Sequence, residues 1–280
     1  MKRIIFSFAL VFSMGSLFAQ SNISNVTQNG SDNSATVTQV GTLNQSLAVQ
    51  NDNDNAIDVS QKGQSNVSEM RAEGGDNIVD VAQDGDLNSS VSLISEANNT
   101  ASSTQAGNSN VTRQEIDNAG STITSFQEGD GNKTIQTLTG VGGNRAFSQT
   151  VGDNNISTTS IDGENSNVFI DQNGNNSAAT IEQVGVSNNV SAAQIGNNNT
   201  IAVRQNGNNN FAGGENDVLL SQLGDGNNSV LVQEGSENAA AIMQDGNVNE
   251  ASNTQSGQAN NSIIDQMGSR NAATVSQSEN

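Results

Sequence analysis

Glutamines recur along this chain at a step of eleven residues, beginning with Gln28, Gln39, Gln50 and Gln61. A carboxamide carries two N–H donors and one carbonyl acceptor. When identical carboxamides lie one above another, each can donate to the next and accept from the previous one. The chemistry that this spacing offers is therefore a ladder of hydrogen bonds, and not a reaction.

The unit around each glutamine predicts one β-strand and one turn. Its consensus is Asn-x-(Ala/Ser/Ile/Val)-x-(Val/Ile/Leu)-x-Gln-x-Gly, in which apolar and polar residues alternate with a period of two. This alternation puts Asn33, Ala35, Val37 and Gln39 on one face of a strand. A right-handed helical coiled coil could also repeat every eleven residues, but the units are rich in Asn, Ser, Thr and Gly, which do not favour helices.

The chain is therefore predicted to be all-β. Two units form one coil of about 22 residues, and stacked strand-turn-strand coils give a β-solenoid with an amyloid-like cross-β arrangement. About eleven or twelve coils at a spacing of about 4.8 Å span on the order of 55 Å. We expect the repeated face to be buried, because a buried amide without partners costs about 1–3 kcal/mol and stacking supplies those partners.

Two sets of residues are predicted to define this architecture. The inward structural amide ladder consists of Asn33, Gln39, Asn55, Gln61, Asn77, Gln83, Gln105, Gln127, Gln172, Gln183, Gln194, Gln205, Gln222, Gln233, Gln244, Gln255, Gln266 and Gln277. A glycine two residues after the glutamine gives the backbone the freedom of a tight turn. These turn glycines are Gly41, Gly63, Gly85, Gly107, Gly129, Gly174, Gly185, Gly196, Gly207, Gly224, Gly235, Gly246, Gly257 and Gly268.

The repeat is not uniform. Four units of the first half carry an aliphatic residue at the glutamine position, so one sheet should contain fewer amides: Ala72, Ile94, Ile116 and Leu138. A one-residue insertion is predicted at Thr150-Val151, and a longer one at residues 211–215, both in turns where extra residues can bulge outward. Neither irregularity indicates a separate domain, so residues 20–280 are predicted to form one repeat region.

The N-terminus has the pattern of a secretory signal peptide over residues 1–19. Lys2 and Arg3 precede an apolar run over residues 4–14, and a small residue follows at Ala19. The apolar run is too short to span a bilayer, so we expect no transmembrane segment in the mature chain. The mature protein is predicted to be secreted and extracellular, and it has no cysteine with which to form disulfides.

Composition argues against several function classes. Without histidine or cysteine the usual catalytic triads, thiol nucleophiles and zinc sites cannot form, so we expect neither an enzyme nor a cofactor. The net charge of -20 disfavours nucleic-acid binding. That charge, with 32% hydrophobic residues, is also typical of disordered chains. A disordered chain has no reason to keep the phase of a repeat, however, and therefore an ordered stack is favoured.

Acidic residues in the predicted turns raise the hypothesis of a calcium ladder, since some β-solenoids bind calcium through such residues. They do not share one constant position in the unit, so we predict no metal site and interpret them as exposed charges that keep the unassembled chain soluble. The residues concerned are Asp84, Asp86, Asp130, Asp153, Asp225 and Asp245.

The repeated pattern, seen clearly from Gln233 to Gln244, resembles the curlin repeat of curli fibre subunits, the secreted functional amyloids of bacterial biofilms. The resemblance covers essentially the whole mature chain. It implies nucleated self-assembly into a homopolymeric cell-surface fibre that supports adhesion and aggregation. The partners that it implies are other copies of the chain, a nucleator subunit and an outer-membrane secretion pore.

Self-assembly also follows from the strand pattern, because we expect both ends of the solenoid to present unpaired strands and unfinished ladders. Two other functions stay open. A monomeric secreted solenoid could bind ice or another regular surface through a uniform outward array, but the outward residues are mixed. A calcium-dependent adhesin is the third possibility, and the irregular positions of the acidic residues count against it.

Overall fold

The computed structural model describes residues 21–212 and 220–278, which form strands and turns arranged as two parallel β-sheets. Sheet A consists of β1 (Ile23–Asn29), β3 (Gln45–Asn51), β5 (Val67–Ala72), β7 (Ser89–Ser95), β9 (Val111–Asp117), β11 (Lys133–Gly142), β13 (Ile156–Glu164), β15 (Ala178–Val186), β17 (Thr200–Asn206), β20 (Asn228–Ser236), β22 (Glu250–Gln258) and β24 (Ala272–Ser278). Sheet B consists of β2 (Ser34–Thr42), β4 (Ala56–Gln64), β6 (Ile78–Asp84), β8 (Thr100–Ala106), β10 (Thr122–Glu128), β12 (Arg145–Val151), β14 (Asn167–Asn173), β16 (Asn189–Ile195), β18 (Phe211–Ala212), β19 (Leu220–Leu223), β21 (Ala239–Asp245) and β23 (Asn261–Met267).

The chain alternates between the two sheets, and each strand pairs in parallel with the strand one coil later. Gln39 in β2 lies opposite Gln61 in β4, and Gln61 lies opposite Gln83 in β6. The step between equivalent residues is thus 22, as in the hydrogen bond from Gln39 to Gln61. The predicted all-β solenoid, with coils of about 22 residues, is confirmed.

Burial follows the predicted alternation. In β4 the side chains of Ile57, Val59 and Gln61 are buried, whereas those of Asp58 and Ser60 face outward. The core is the narrow space between the sheets. It is filled by one column of small or branched apolar side chains after another, because the same residue types recur at each level.

The one-residue insertion lies elsewhere than predicted. Thr122 in β10 pairs with Arg145 in β12, a step of 23, while the pairs between β12 and β14 return to 22. The register of β11 shifts between Thr139 and Gly142, so the extra residue is in that turn and the prediction at Thr150-Val151 is wrong. As a result Thr150 is fully buried and takes a glutamine position, opposite Gln127 and Gln172.

The longer insertion interrupts a strand and not a turn. Phe211 and Ala212 form β18 and pair with Asn189 and Val190, while Leu220 resumes the same level as β19, opposite Ala192. The prediction that residues 211–215 belong to a turn is therefore corrected for Phe211 and Ala212. Residues 213–219 lie outside the described residues.

The predicted signal peptide, residues 1–19, also lies outside the described residues. Within the residues that are described, there is no long apolar helix of the kind that could cross a bilayer.

Candidate functional site

The inward glutamines form continuous hydrogen-bonded ladders. In each step the Nε2 of one glutamine donates to the Oε1 of the equivalent glutamine one coil later, at 2.8 Å from Gln39 to Gln61 and 3.0 Å from Gln105 to Gln127. Sheet B contains two such runs, Gln39-Gln61-Gln83-Gln105-Gln127 and Gln172-Gln194-Gln222-Gln244-Gln266. Sheet A contains Gln28-Gln50 and Gln183-Gln205-Gln233-Gln255-Gln277.

A second hydrogen bond from the Nε2 of most of these glutamines ties the two sheets together. Gln61 of sheet B donates to the backbone carbonyl of Gln45 in sheet A at 2.9 Å, and Gln50 of sheet A donates to that of Ser34 in sheet B at 2.8 Å. Both bonds run back sixteen residues, so the two halves of a coil are equivalent. Because the amides are buried and bonded in two directions, they fix both the register and the distance between the sheets.

Both ladders are interrupted in the middle of the solenoid. In sheet A the glutamine column passes through five buried aliphatic side chains: Ala72, Ile94, Ile116, Leu138 and Ile161. In sheet B the single residue Thr150 separates Gln127 from Gln172. Where the amides resume, the Oε1 atoms of Gln172 and Gln183 are buried without a hydrogen-bond partner. Each restart of a ladder therefore leaves one unsatisfied acceptor.

The asparagines bond differently from the pattern that we expected. The Oδ1 of Asn33 accepts the backbone N–H of Asn55 at 3.0 Å, and the Oδ1 of Asn55 accepts that of Asn77 at 3.1 Å. The Nδ2 of Asn55 donates to the carbonyl oxygens of Asn51 and Gly74, both at 2.8 Å. An asparagine is one methylene shorter than a glutamine, so its amide stays beside the turn and bonds chiefly to backbone. Its column still links every coil to the next.

The fourteen predicted turn glycines all have positive φ, for example 118° at Gly63. Glycine is required there for a second reason, because a Cβ on Gly63 would overlap the carbonyl oxygen of Gly85 in the next coil. Two residues after the glycine, the backbone is left-handed again, with φ of 61° at Leu43 and 59° at Val248. L-residues rarely adopt this conformation, so the turn constrains two positions in every unit.

The acidic turn residues are more ordered than the sequence suggested. Asp86, Asp130, Asp153 and Asp225 each follow a turn glycine and share one column with asparagines. The Oδ1 of Asp153 accepts the backbone N–H of Asp130 at 2.9 Å, as asparagine oxygens do elsewhere in this column. Asp and Asn interchange because both supply this acceptor. Among the described residues, no group of three or more acidic side chains is arranged to hold a metal ion.

The outer surfaces of the two sheets differ from each other. Sheet A carries ion pairs such as Arg113 with Glu115 at 3.0 Å, which are exposed and therefore weak. Sheet B carries outward phenylalanines, and the rings of Phe147 and Phe169 stack with centroids 5.0 Å apart. Neither surface presents one uniform row of side chains.

Two outward carboxyl groups of sheet B have altered acidity. Burial, and secondly the negative charge of Asp58 on the neighbouring strand, raise the pKa of Asp80. Burial also raises the pKa of Asp171. Both groups therefore bind a proton more readily in the folded solenoid than a free carboxyl does.

The terminal coils of the described solenoid have open ladders. The Oε1 atoms of Gln28 and Gln39 accept no hydrogen bond from another described residue, whereas the Oε1 of each later glutamine in their runs accepts one from the glutamine before it. At the opposite end, Gln266 and Gln277 donate only to the facing sheet, through the carbonyls of Glu250 and Asn261. The N-terminal end thus offers acceptors and the C-terminal end offers donors.

Sequence reasoning missed three features of this site. Ile161 continues the aliphatic column, and Thr150 occupies a ladder position. Thr150 was missed because the insertion was placed one turn too late. The Asp/Asn column was missed because only the acidic residues were compared. A count of Asp and Asn together after each turn glycine would have revealed it, as at Asp86 and Asn108.

The family model described as "Curlin associated repeat" matches residues 30–63, 53–85, 174–207 and 213–246. Each matched segment contains glutamines that bond to one another in a ladder, such as Gln39 with Gln61 and Gln183 with Gln205. A comparison with curated proteins gives no match.

Proposed function

Because the chain is a curlin-repeat protein, we propose that it is a secreted structural subunit that stacks end to end into curli-like amyloid fibres. In this proposal the fibres belong to a biofilm matrix and support cell adhesion and aggregation. The curlin repeat and the β-solenoid are structural, and no catalytic residue is proposed.

The observation that carries this proposal is the open state of both terminal ladders. The N-terminal coil offers the Oε1 acceptors of Gln28 and Gln39, and the C-terminal coil offers the Nε2 donors of Gln266 and Gln277. The inner side chains there are also less covered, since Val37 and Val275 are only partly buried. A second copy that stacks on either end satisfies the amides and buries the apolar residues.

The direction of the bonds also supports polar growth. Every ladder bond between glutamines is donated towards the C-terminal end, and the strands of both sheets are parallel. Two N-terminal ends brought together would oppose acceptor to acceptor, and two C-terminal ends would oppose donor to donor. We therefore propose head-to-tail stacking, in which the C-terminal coil of one copy meets the N-terminal coil of the next.

Secretion and its partners are part of the same proposal. The basic and apolar pattern of residues 1–19 supports export as a precursor with a cleaved signal peptide. By analogy with curli, we propose a nucleator subunit and an outer-membrane secretion pore as further partners. A role in binding ice is less supported, because successive strands of sheet B place Thr36, Asp58 and Asp80 in one outward column.

Seeded fibre formation tests the proposal. The purified mature chain should form fibres with a meridional reflection near 4.8 Å, after a lag that preformed fibres abolish. Replacement of Gln183, Gln194 and Gln205 by alanine should lengthen the lag, since each breaks a buried ladder. A matched variant, with alanine at three outward positions of the same strands, should keep the original lag: Thr180, Ser191 and Thr200. If the chain stays monomeric after preformed fibres are added, the proposed function is refuted.

A further inference from the structure

The two sheets of the described solenoid do not have the same number of levels, where a level is one position in the stack of strands. Sheet A has twelve strands, from β1 to β24. Sheet B also has twelve, but β18 and β19 share one level because both pair with β16 and β21, so it has eleven levels. The described coils therefore begin and end in sheet A.

We propose that successive copies in the fibre are related by a half-turn about the fibre axis, so that sheet A of one copy continues as sheet B of the next. This inference rests on the proposed head-to-tail assembly and specifies its junction. With the half-turn, β1 of the second copy lies on β23, and β2 of the second copy lies on β24. Every level of both sheets is then occupied.

Stacking without the half-turn leaves a gap. If β1 of the second copy lies on β24, then β2 of that copy, half a coil further along, lies two levels above β23. One level of sheet B is vacant, and the backbone groups of the strands on both sides of it stay unpaired. The amides of Gln266 and of Gln39 in the second copy would be two strand spacings apart, about 9.6 Å, which is too far for a hydrogen bond.

The coil itself already contains the operation that the junction needs. The bond from Gln61 to the carbonyl of Gln45 runs from sheet B to sheet A, and the bond from Gln50 to that of Ser34 runs from sheet A to sheet B with the same spacing. The backbone N–H groups of Asn44 and Asn55 likewise donate the same bond on opposite edges, to the Oδ1 atoms of Asn22 and Asn33. A half-turn with a rise of half a level thus relates consecutive strands within one copy.

The residues at the two ends match better with the half-turn. The inner side chains of β1 are Ser24, Val26 and Gln28, and those of β23 are Ser262, Ile264 and Gln266. This arrangement puts serine on serine, a branched side chain on a branched side chain, and glutamine on glutamine.

The second pair of strands agrees. The inner side chains of β2 are Ala35, Val37 and Gln39, and those of β24 are Ala273, Val275 and Gln277, so the three types are identical. Without the half-turn, Ser24 of the second copy lies on Ala273, and Ala35 has no strand directly beneath it because that level of sheet B is vacant. Since like side chains stack best in a cross-β column, the half-turn is favoured at both sheets.

The half-turn has a consequence for the fibre surface. The outer surface of sheet A carries ion pairs such as Arg113 with Glu115, and that of sheet B carries the stacked rings of Phe147 and Phe169. Each side of the fibre therefore alternates between the outer surface of sheet A and that of sheet B, so the stacked phenylalanine rings appear on a given side in every second copy. Fibres without the half-turn would carry those rings on one side only.

Cysteine cross-linking tests the junction without background, because the chain contains no cysteine. Asn25, Thr36, Ile263 and Thr274 point outward in β1, β2, β23 and β24 and take no part in the ladders. With the half-turn, Asn25 of one copy lies beside Ile263 of the preceding copy, and Thr36 lies beside Thr274. Without it, Asn25 lies beside Thr274. Asn25 and Ile263 then lie on opposite outer surfaces of the fibre, at least about 10 Å apart.

The double variants Asn25→Cys/Ile263→Cys and Thr36→Cys/Thr274→Cys should convert the monomer band into a series of disulfide-linked multimers when seeded fibres are oxidised. The crossed variants Asn25→Cys/Thr274→Cys and Thr36→Cys/Ile263→Cys carry the same cysteines and should stay monomeric. A disulfide requires Cα atoms about 4.4–6.8 Å apart, a range that includes one strand spacing of about 4.8 Å but not a separation of about 10 Å. The two sites of one chain are about eleven strand spacings apart, so every bridge joins two copies.

The outcomes separate this inference from the proposed function. Suppose that fibres form. Disulfide-linked multimers in a crossed variant, or in all four variants, would then overturn the half-turn and leave end-to-end assembly intact. So would the absence of multimers from all four variants. A cysteine-free chain that forms no seeded fibre would overturn the assembly itself.

Discussion

A glutamine at position 150 should join the two ladder runs of sheet B. Gln127 ends the first run, where its Nε2 donates to the carbonyl of Val111 and to the hydroxyl of Thr134, both at 3.1 Å. Gln172 begins the second run with a buried Oε1 that has no partner. Thr150→Gln places an amide in the same column between them, so that the Oε1 of Gln172 gains a donor.

The size of the effect follows from the groups that change. An unsatisfied buried acceptor costs about 1–3 kcal/mol. Two costs offset this gain. The weak 3.3 Å hydrogen bond that Thr150 donates to the carbonyl of Phe126 is lost, and fixing a glutamine side chain costs about 1.5–2 kcal/mol of conformational entropy. We expect the free energy of unfolding to rise by no more than about 1 kcal/mol, which is at most roughly a fivefold change in the equilibrium constant.

Guanidinium unfolding, followed by circular dichroism with the slope of the transition held constant, measures this change. Ile161→Gln is the matched control. It gives Gln183 a donor, but its own carbonyl then faces Leu138, so it moves the unsatisfied acceptor by one coil and also loses an apolar contact. We expect that variant to be less stable than the original chain. If Thr150→Gln is no more stable than the original chain, continuity of the amides does not stabilise the solenoid.

Three further substitutions examine the turns and the surface. Gly63→Ala should destabilise the fold more than Gly120→Ala, measured by thermal unfolding, because an added Cβ overlaps backbone at Gly63 and meets open space at Gly120. Val248→Gly should raise the free energy of unfolding by about 1 kcal/mol, since a β-branched residue is strained at φ 59°. Acid should stabilise the fold. Burial and the carboxylate of Asp58 raise the pKa of Asp80, so the folded state takes up its proton first as the pH falls from neutral towards about 4. The resulting gain is lost again as the pH rises through the raised pKa, and unfolding curves of Asp80→Asn should show a weaker pH dependence.

The fold could be predicted from the sequence because the same pattern of residues is repeated in every coil. The alternation of Asn33, Ala35, Val37 and Gln39 specifies which face of a strand is buried, and the eleven-residue step specifies where the turn comes. Each repetition confirms the same register, so local and global preferences agree. For this reason the all-β solenoid, with coils of about 22 residues, could be predicted without coordinates.

The positions of the insertions could not be found in this way. An extra residue shifts all later positions equally, and several neighbouring turns can absorb it with the same downstream pattern. Only pairing across coils shows that Thr150 faces inward on Gln127, and that Phe211 is part of a sheet. The register of a strand is decided by its neighbours one coil away, which the linear repeat does not display.

The sequence by itself determined the period, the inward face and the residue types of this solenoid. A side chain that recurs at every level necessarily stacks on the same type of side chain in the next coil. The tertiary structure alone decided how those side chains bond. It shows that glutamine donates to glutamine while asparagine oxygens accept backbone N–H groups, as between Gln61 and Gln83 and between Asn33 and Asn55. The physical reason is reach: one methylene determines whether an amide extends into the core or stays at the turn, and that depends on the distance between the sheets.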